Sequence, residues 1–194
     1  MIGHRLANLA ILGLAAAICY GMQTSKPHYA DLTGPIPVRG GMGDDVKARL
    51  FQLRVDKVEF AKILAVSEFG KDRTLTTGGL WAIVTVELAA TNSTTTISEA
   101  TWQGPTGLGY RETERLAMVS GLPPFTVEPG LPARGRFVFE VPPSEISGAT
   151  LLVSNERAFA LDSQARITLD GLRLKPDGTP EMVADIYDMD EPIQ

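Results

Sequence analysis

The sequence predicts an all-β protein: one antiparallel β-sandwich of seven to eight strands, preceded by one apolar N-terminal helix. Three observations carry this. Residues 79–92 alternate at period 2, with Leu80, Ala82, Val84, Val86, Leu88 and Ala90 on one face. Residues 134–141 alternate likewise and are bracketed by Pro129-Gly130 and Pro142-Pro143, which signal a turn and a stop. No long amphipathic helical pattern competes between residues 44 and 175, where Glu112–Val119 is the best and a short helical fragment.

The N-terminal element comes first in the chain. Residues 6–22, LANLAILGLAAAICYGM, carry no charge and follow Arg5. Such a run suits a membrane segment with its N-terminus in the cytoplasm. Two readings stand, an uncleaved single-pass anchor and a removed signal peptide. Cleavage could follow Ala15-Ala16-Ala17, whereas His28-Tyr29-Ala30 is a poor site because His28 is large and polar. Cys19 follows Ile18 where lipidation requires a small residue, so it reads as a small hydrophobe. Retained, the segment places the domain outside the cytoplasmic membrane; cleaved, it leaves a secreted or periplasmic protein.

Residues 23–43 hold Pro27, Pro35, Pro37, Gly34, Gly40, Gly41 and Gly43, a density that suits an extended linker. A short first strand could lie within Asp31 to Val38. The sandwich is expected over residues 44–175. Its first pattern, Ala48–Val66, is long enough for two strands or one bent strand broken near Asp56-Lys57. Gly79–Asn92 follows, its second face (Trp81, Ile83, Thr85, Glu87) apolar at one end. That asymmetry predicts a central strand whose outer face is partly covered. Further strands are expected at Thr96–Gln103, Gly109–Arg115, Arg134–Val141, Thr150–Ser154 and Ala165–Leu172, the spacing of a sandwich.

Charge is segregated. The formal net charge is −5, with 18 Lys+Arg against 23 Asp+Glu. Residues 176–194 contain Asp177, Glu181, Asp185, Asp188, Asp190 and Glu191 and no base. The acidic balance argues against a nucleic-acid partner, because neutralising phosphates needs a Lys/Arg-rich face, and the body itself is near neutral. Acids interleaved with Met182, Val183, Ile186, Tyr187 and Met189 read as a flexible C-terminal tail.

The order of features in the body resembles a known group. A Gly-Leu-Trp strand runs through Val84-Thr85-Val86-Glu87-Leu88 to Thr91-Asn92. Gly109-Tyr110, Pro129-Gly130, the strand Phe137-Val138-Phe139-Glu140-Val141-Pro142 and Ile167-Thr168-Leu169 follow. Over residues 44–172 this resembles the bacterial extracytoplasmic immunoglobulin-like domains of unassigned function grouped with immunoprotective extracellular antigens. The resemblance implies an immunoglobulin-like sandwich outside the cytoplasm and carries over no catalytic residues. The chain departs from many relatives in lacking a lipidated Cys and in its acidic tail.

The inventory limits chemistry. His4 and His28 precede the body, and Cys19 is the single Cys of the chain. Ser–His and Cys–His catalysis and His/Cys zinc sites are therefore excluded from the body. No cofactor or metal is expected. Gly104-Pro-Thr-Gly107-Leu-Gly109 lacks the Lys of a phosphate loop and reads as a hairpin loop. Asp44-Asp45 lack a calcium-loop pattern, and Asn92-Ser93-Thr94 reads as a loop although it matches a glycosylation sequon.

The residues left for binding are Trp102 and Tyr110, which flank the glycine-rich loop, together with Arg134, Arg136, Tyr187, Asp188 and Asp190. The two aromatics could meet a ligand or pack as strand residues. Arg49, Arg54, Arg134, Arg136 and Arg166 could form a basic face for an acidic partner or for the protein's own tail, or could pair with Glu87, Glu140 and Asp170 across strands. The expected function is a non-enzymatic, membrane-anchored extracytoplasmic interaction module, accessory to a cell-envelope complex, with a protein partner there and a membrane contact through residues 6–22. The alternative is a periplasmic chaperone-like or small-ligand-carrying sandwich, with an unrecognised enzyme third.

Overall fold

A computed structural model describes residues 2–25, 33–68, 70–116, 119–155 and 162–193. It divides into two units, Met1–Gly34 and Pro35–Gln194. Residues 26–32 of the expected linker, including the His28-Tyr29-Ala30 cleavage candidate, lie outside the described residues.

The first unit contains one helix, α1, Ile2–Thr24. Its end is closed by the Thr24 hydroxyl, which donates to the carbonyls of Tyr20 and Gly21 at 3.1 Å each. Among the described residues no helix is long and apolar enough to cross a membrane. The expected single-pass anchor is therefore not supported. At 1.5 Å per residue the uncharged run covers about 26 Å, short of ~30 Å of hydrocarbon.

The second unit is a β-sandwich. One sheet has the order β1 (Ile36–Gly41), β11 (Ser163–Thr168), β10 (Thr150–Ser154), β6 (Glu99–Gln103), β7 (Gly109–Arg111). The facing sheet runs β12 (Ala184–Asp188), β3 (Phe51–Glu68), β4 (Lys71–Ala90), β9 (Ala133–Val141), with β2 (Val46–Lys47) also on β3. A small pair, β5 (Thr95–Ile97) and β8 (Phe125–Val127), completes it.

The period-2 pattern explains the packing. From β4, Ala82, Val84, Val86 and Leu88 enter the core between the sheets, where they meet Phe137, Phe139 and Val141 of β9. Leu151 and Val153, Ala165 and Ile167, and Ala100 and Trp102 arrive from the opposite sheet. The other face of β4 carries a second cluster: Trp81 and Ile83 pack with Ala61, Leu64, Leu75, Leu116, Val138 and Met189. This is the partial outer cover that the apolar end of that face predicts.

β3 is one strand with register shifts at Val55/Lys57 and Ala61/Ile63. The first shift falls at the expected break. Such bulges exchange the faces of a strand, so Leu53 and Val55 point into the main core while Ala61 and Leu64 join the outer cluster. Gly79 lies where β4 passes β9, and a Cβ there would collide with the Val141 carbonyl. Only glycine allows that backbone approach.

Four expectations are corrected. The described residues form twelve strands, ten of them in the two main sheets, rather than seven to eight. It is not wholly antiparallel, because β1 runs parallel to β11 and β12 parallel to β3. Residues 36–41 of the expected linker form β1. The acidic tail is not a free appendage, because residues 184–188 form β12 and Met189 is buried.

Candidate functional site

The aromatic pair packs as strand residues against the core. Trp102 and Tyr110 are cross-strand partners in the β6–β7 hairpin. Trp102 is fully buried, its indole Nε1 donating to the Glu145 carbonyl at 2.8 Å. Its ring lies between Phe60 and Phe139, with centroids at 6.2 and 6.0 Å. Tyr110 is half-buried against the same core. The glycine-rich loop is tied down from below, because the Thr106 hydroxyl donates to the buried Glu145 carboxylate at 2.8 Å.

The basic residues divide. Arg134 is exposed and faces Asp56 and Glu87, each at 3.8 Å. Arg54 meets Asp56 and Glu87 at 3.0 Å. Cross-strand charge pairing on this face is therefore realised at Glu87. Arg136 differs: it is 3% exposed and takes the protein's own tail. It donates to the Met189 and Glu191 carbonyls and lies 5.7 Å over the Tyr187 ring. The Tyr187 hydroxyl donates to Glu59 at 3.3 Å, and burial followed by the Glu59 charge raises its pKa. Asp188 accepts from the Asp190 N–H at 2.9 Å, and Asp190 accepts from the Ser67 N–H at 2.7 Å. Tyr187, Asp188 and Asp190 are thus used within the chain, and they do not gather with Trp102 and Tyr110.

A cavity of about 550 Å³ was not expected; it is lined by residues of β6 and β7 together with Thr113, Glu114, Leu116 and residues 122–124. Its lining mixes apolar side chains, Leu116, Leu122, Pro123, Pro124 and Val138 among them, with the charged Glu99, Arg111, Glu112 and Glu114. Arg111 lies 3.6 Å from one Glu99 oxygen, while the other Glu99 oxygen is buried without a hydrogen-bond partner among the described residues.

Glu112 is the most perturbed carboxyl of the site. Burial first, and the Glu99 charge second, raise its pKa from 4.5 to about 7, opposed by a backbone hydrogen bond from Ala100 and by Arg111. An isolated bridge between Glu112 and Phe139 closes β7 onto β9 and holds this carboxyl at the cavity wall. The sign of the pH effect follows. The folded chain keeps this proton to higher pH than the unfolded chain does. Stability therefore falls as pH rises from about 4.5 through about 7 and is then level. The full effect is at most about 3 kcal/mol, reduced by solvent in an open cleft. Glu112→Gln should abolish this slope and raise the urea midpoint at pH 8. An unchanged slope between pH 5 and pH 8 would contradict the assignment.

The pair Glu99–Glu112 could have been suspected only weakly from sequence. Two Glu thirteen residues apart become neighbours because β6 and β7 pair antiparallel around a short loop. Among the described residues no group of three His, Cys, Asp or Glu is arranged to hold a metal.

No family model matches the chain, and no curated protein matches it either. Three solved structures are similar. The yjhA protein of Bacillus subtilis matches over 67% of this chain and 99% of its own, at 16% identity and a TM-score of 0.53. The secreted protein MPT63 of Mycobacterium tuberculosis matches over 69% of this chain and 98% of its own, at 16% identity and a TM-score of 0.47. An uncharacterized beta-sandwich protein of Clostridium difficile matches over 70% of this chain, at 11% identity and a TM-score of 0.40. At these identities the likeness to the first concerns the fold alone, which is the two-sheet sandwich described above.

Proposed function

We propose that this chain is a non-catalytic extracytoplasmic binding module that takes a small cationic ligand in the Glu99–Glu112 cleft. The observation that supports this most is the pairing of two partly buried carboxylates among apolar side chains in a cavity of about 550 Å³. Small-molecule sites combine an apolar lining with a few convergent polar groups and a perturbed titratable residue. Arg111 offsets only one of the acids Glu99, Glu112 and Glu114. A ligand ammonium or guanidinium would relieve the remaining repulsion, and its apolar body would lie on Leu116, Leu122 and Val138. The absence of His and Cys from the body favours binding over nucleophilic catalysis. Arg5 followed by an uncharged apolar segment supports export of the sandwich.

The test is calorimetric titration with n-butylamine, using butanol and butyrate as controls. Binding should be saturable at pH 8 and about tenfold weaker at pH 6, where a carboxyl of pKa about 7 is mostly protonated. Glu99→Gln and Glu112→Gln should each weaken it. Equal responses to butylamine and butanol would refute the cationic reading.

A further inference from the structure

A second, smaller cavity lies on the outer face of the β3–β4–β9 sheet, beneath the docked tail. It holds about 180 Å³ and is lined by Lys57, Glu59, Thr85, Arg136, Tyr187 and residues 191–193. It shares no lining residue with the acidic cleft.

Register builds its floor. Lys57 of β3 pairs with Thr85 of β4, and Thr85 pairs with Arg136 of β9. The three stand abreast, a hydroxyl flanked by two cations. Thr85 and Arg136 are 0% and 3% exposed. Among the described residues the Thr85 Oγ1 and the Arg136 Nε are both buried and have no hydrogen-bond partner. Buried polar atoms without partners are rare and costly.

The two cations are compensated unequally among the described residues. Lys57 is engaged by Glu59 at 3.2 Å, and Glu59 also accepts from the Tyr187 hydroxyl. Among the described residues Arg136 has no carboxylate within ion-pair distance; its other donors go to two backbone carbonyls. A buried guanidinium ordinarily pairs with an anion.

We propose that this cavity binds one small oxyanion, held by the Arg136 Nε–H and the Thr85 hydroxyl, and that its occupancy is coupled to docking of β12. The size admits a phosphate or a short carboxylate in place of a few waters. Guanidinium–oxyanion hydrogen bonds are charge-assisted and strong. The coupling follows from the walls. Tyr187 and residues 191–193 belong to the tail, so the full cavity exists only while the tail is docked. A ligand that binds only the docked form must stabilise it. Of the two acids in the lining, Glu59 is engaged by Lys57 and Tyr187, whereas the Glu191 carboxylate has no ion-pair partner among the described residues and opposes the anion.

The Arg136 Nε–Hε resonance reports directly on the site. Sodium phosphate and sodium acetate are titrated separately into the full chain, with sodium chloride at matched ionic strength as reference. A saturable shift is expected with at least one of the two oxyanions, and the arm that saturates identifies the class. The Met189 amide, which donates to the Ala65 carbonyl, should exchange more slowly in the saturating anion. Thr85→Val keeps the shape of a buried side chain and should lower the affinity at least fivefold without lowering the Tm. Glu191→Gln, at an exposed position, should tighten binding. A linear response, or one that chloride reproduces, overturns the site and leaves a cavity for water alone. Unchanged affinity in both variants overturns the assigned contacts. Unchanged Met189 exchange at saturation overturns the coupling.

Discussion

Removing the C-terminal strand, by ending the chain at Val183, is expected to destabilise the sandwich by about 3–6 kcal/mol. Three losses contribute. Met189, 2% exposed, leaves the outer cluster, and emptying such a site costs about 2–5 kcal/mol. Arg136 loses two carbonyl acceptors and the Tyr187 ring while its body stays on the sheet. Stranding a buried charge is expensive, although renewed access to water returns part of that cost. The edge of β3 from Ala61 to Ala65 loses its parallel partner. For a domain of this size the Tm should fall by roughly 6–24 °C. Thermal unfolding of the shortened and full chains checks this. A Tm within about 2 °C of the full chain would mean that β12 contributes nothing and that the tail acts as a detachable motif.

Trp102→Ala should cost about 3–5 kcal/mol, the range for emptying a large aromatic site. The site cannot collapse readily, because Phe60 and Phe139 are held by their own strands on either side of the ring. The Glu145 carbonyl also loses its indole donor. Trp102→Phe separates the two terms: it keeps most of the volume and loses the hydrogen bond, for about 1–3 kcal/mol. Urea unfolding of both variants is the measurement. The ligand-platform reading of Trp102 and Tyr110 expects little loss of stability in Trp102→Ala, so a change below about 1 kcal/mol would restore it.

Strand alternation was legible at the centre of the molecule. Ala82 to Leu88 and Phe137 to Val141 face inward as their period requires, because a strand buried on one face must segregate its side chains. The break near Asp56-Lys57 and the covered end of the Trp81–Ile83 face were legible for the same reason. The tail was not. Its six acids dominate the composition, yet Tyr187 and Met189 alternate with Asp188 and Asp190 as in an edge strand. The β3 edge, the outer apolar cluster and Arg136 beneath them together hold the segment.

The sequence by itself determined the all-β class, the inward faces of the long strands, the lack of imidazole and thiol chemistry in the body, and the segregation of charge. These depend on residue type and on a local period of two. Tertiary structure decided the rest, because it depends on contacts between residues far apart in the chain. Trp102 became a core residue when the two sheets met over it. Glu99 and Glu112 became one site when a hairpin set their strands side by side. Arg136, on paper one outward arginine among several, became the buried anchor of a strand that begins some fifty residues later, because register placed it under the returning tail.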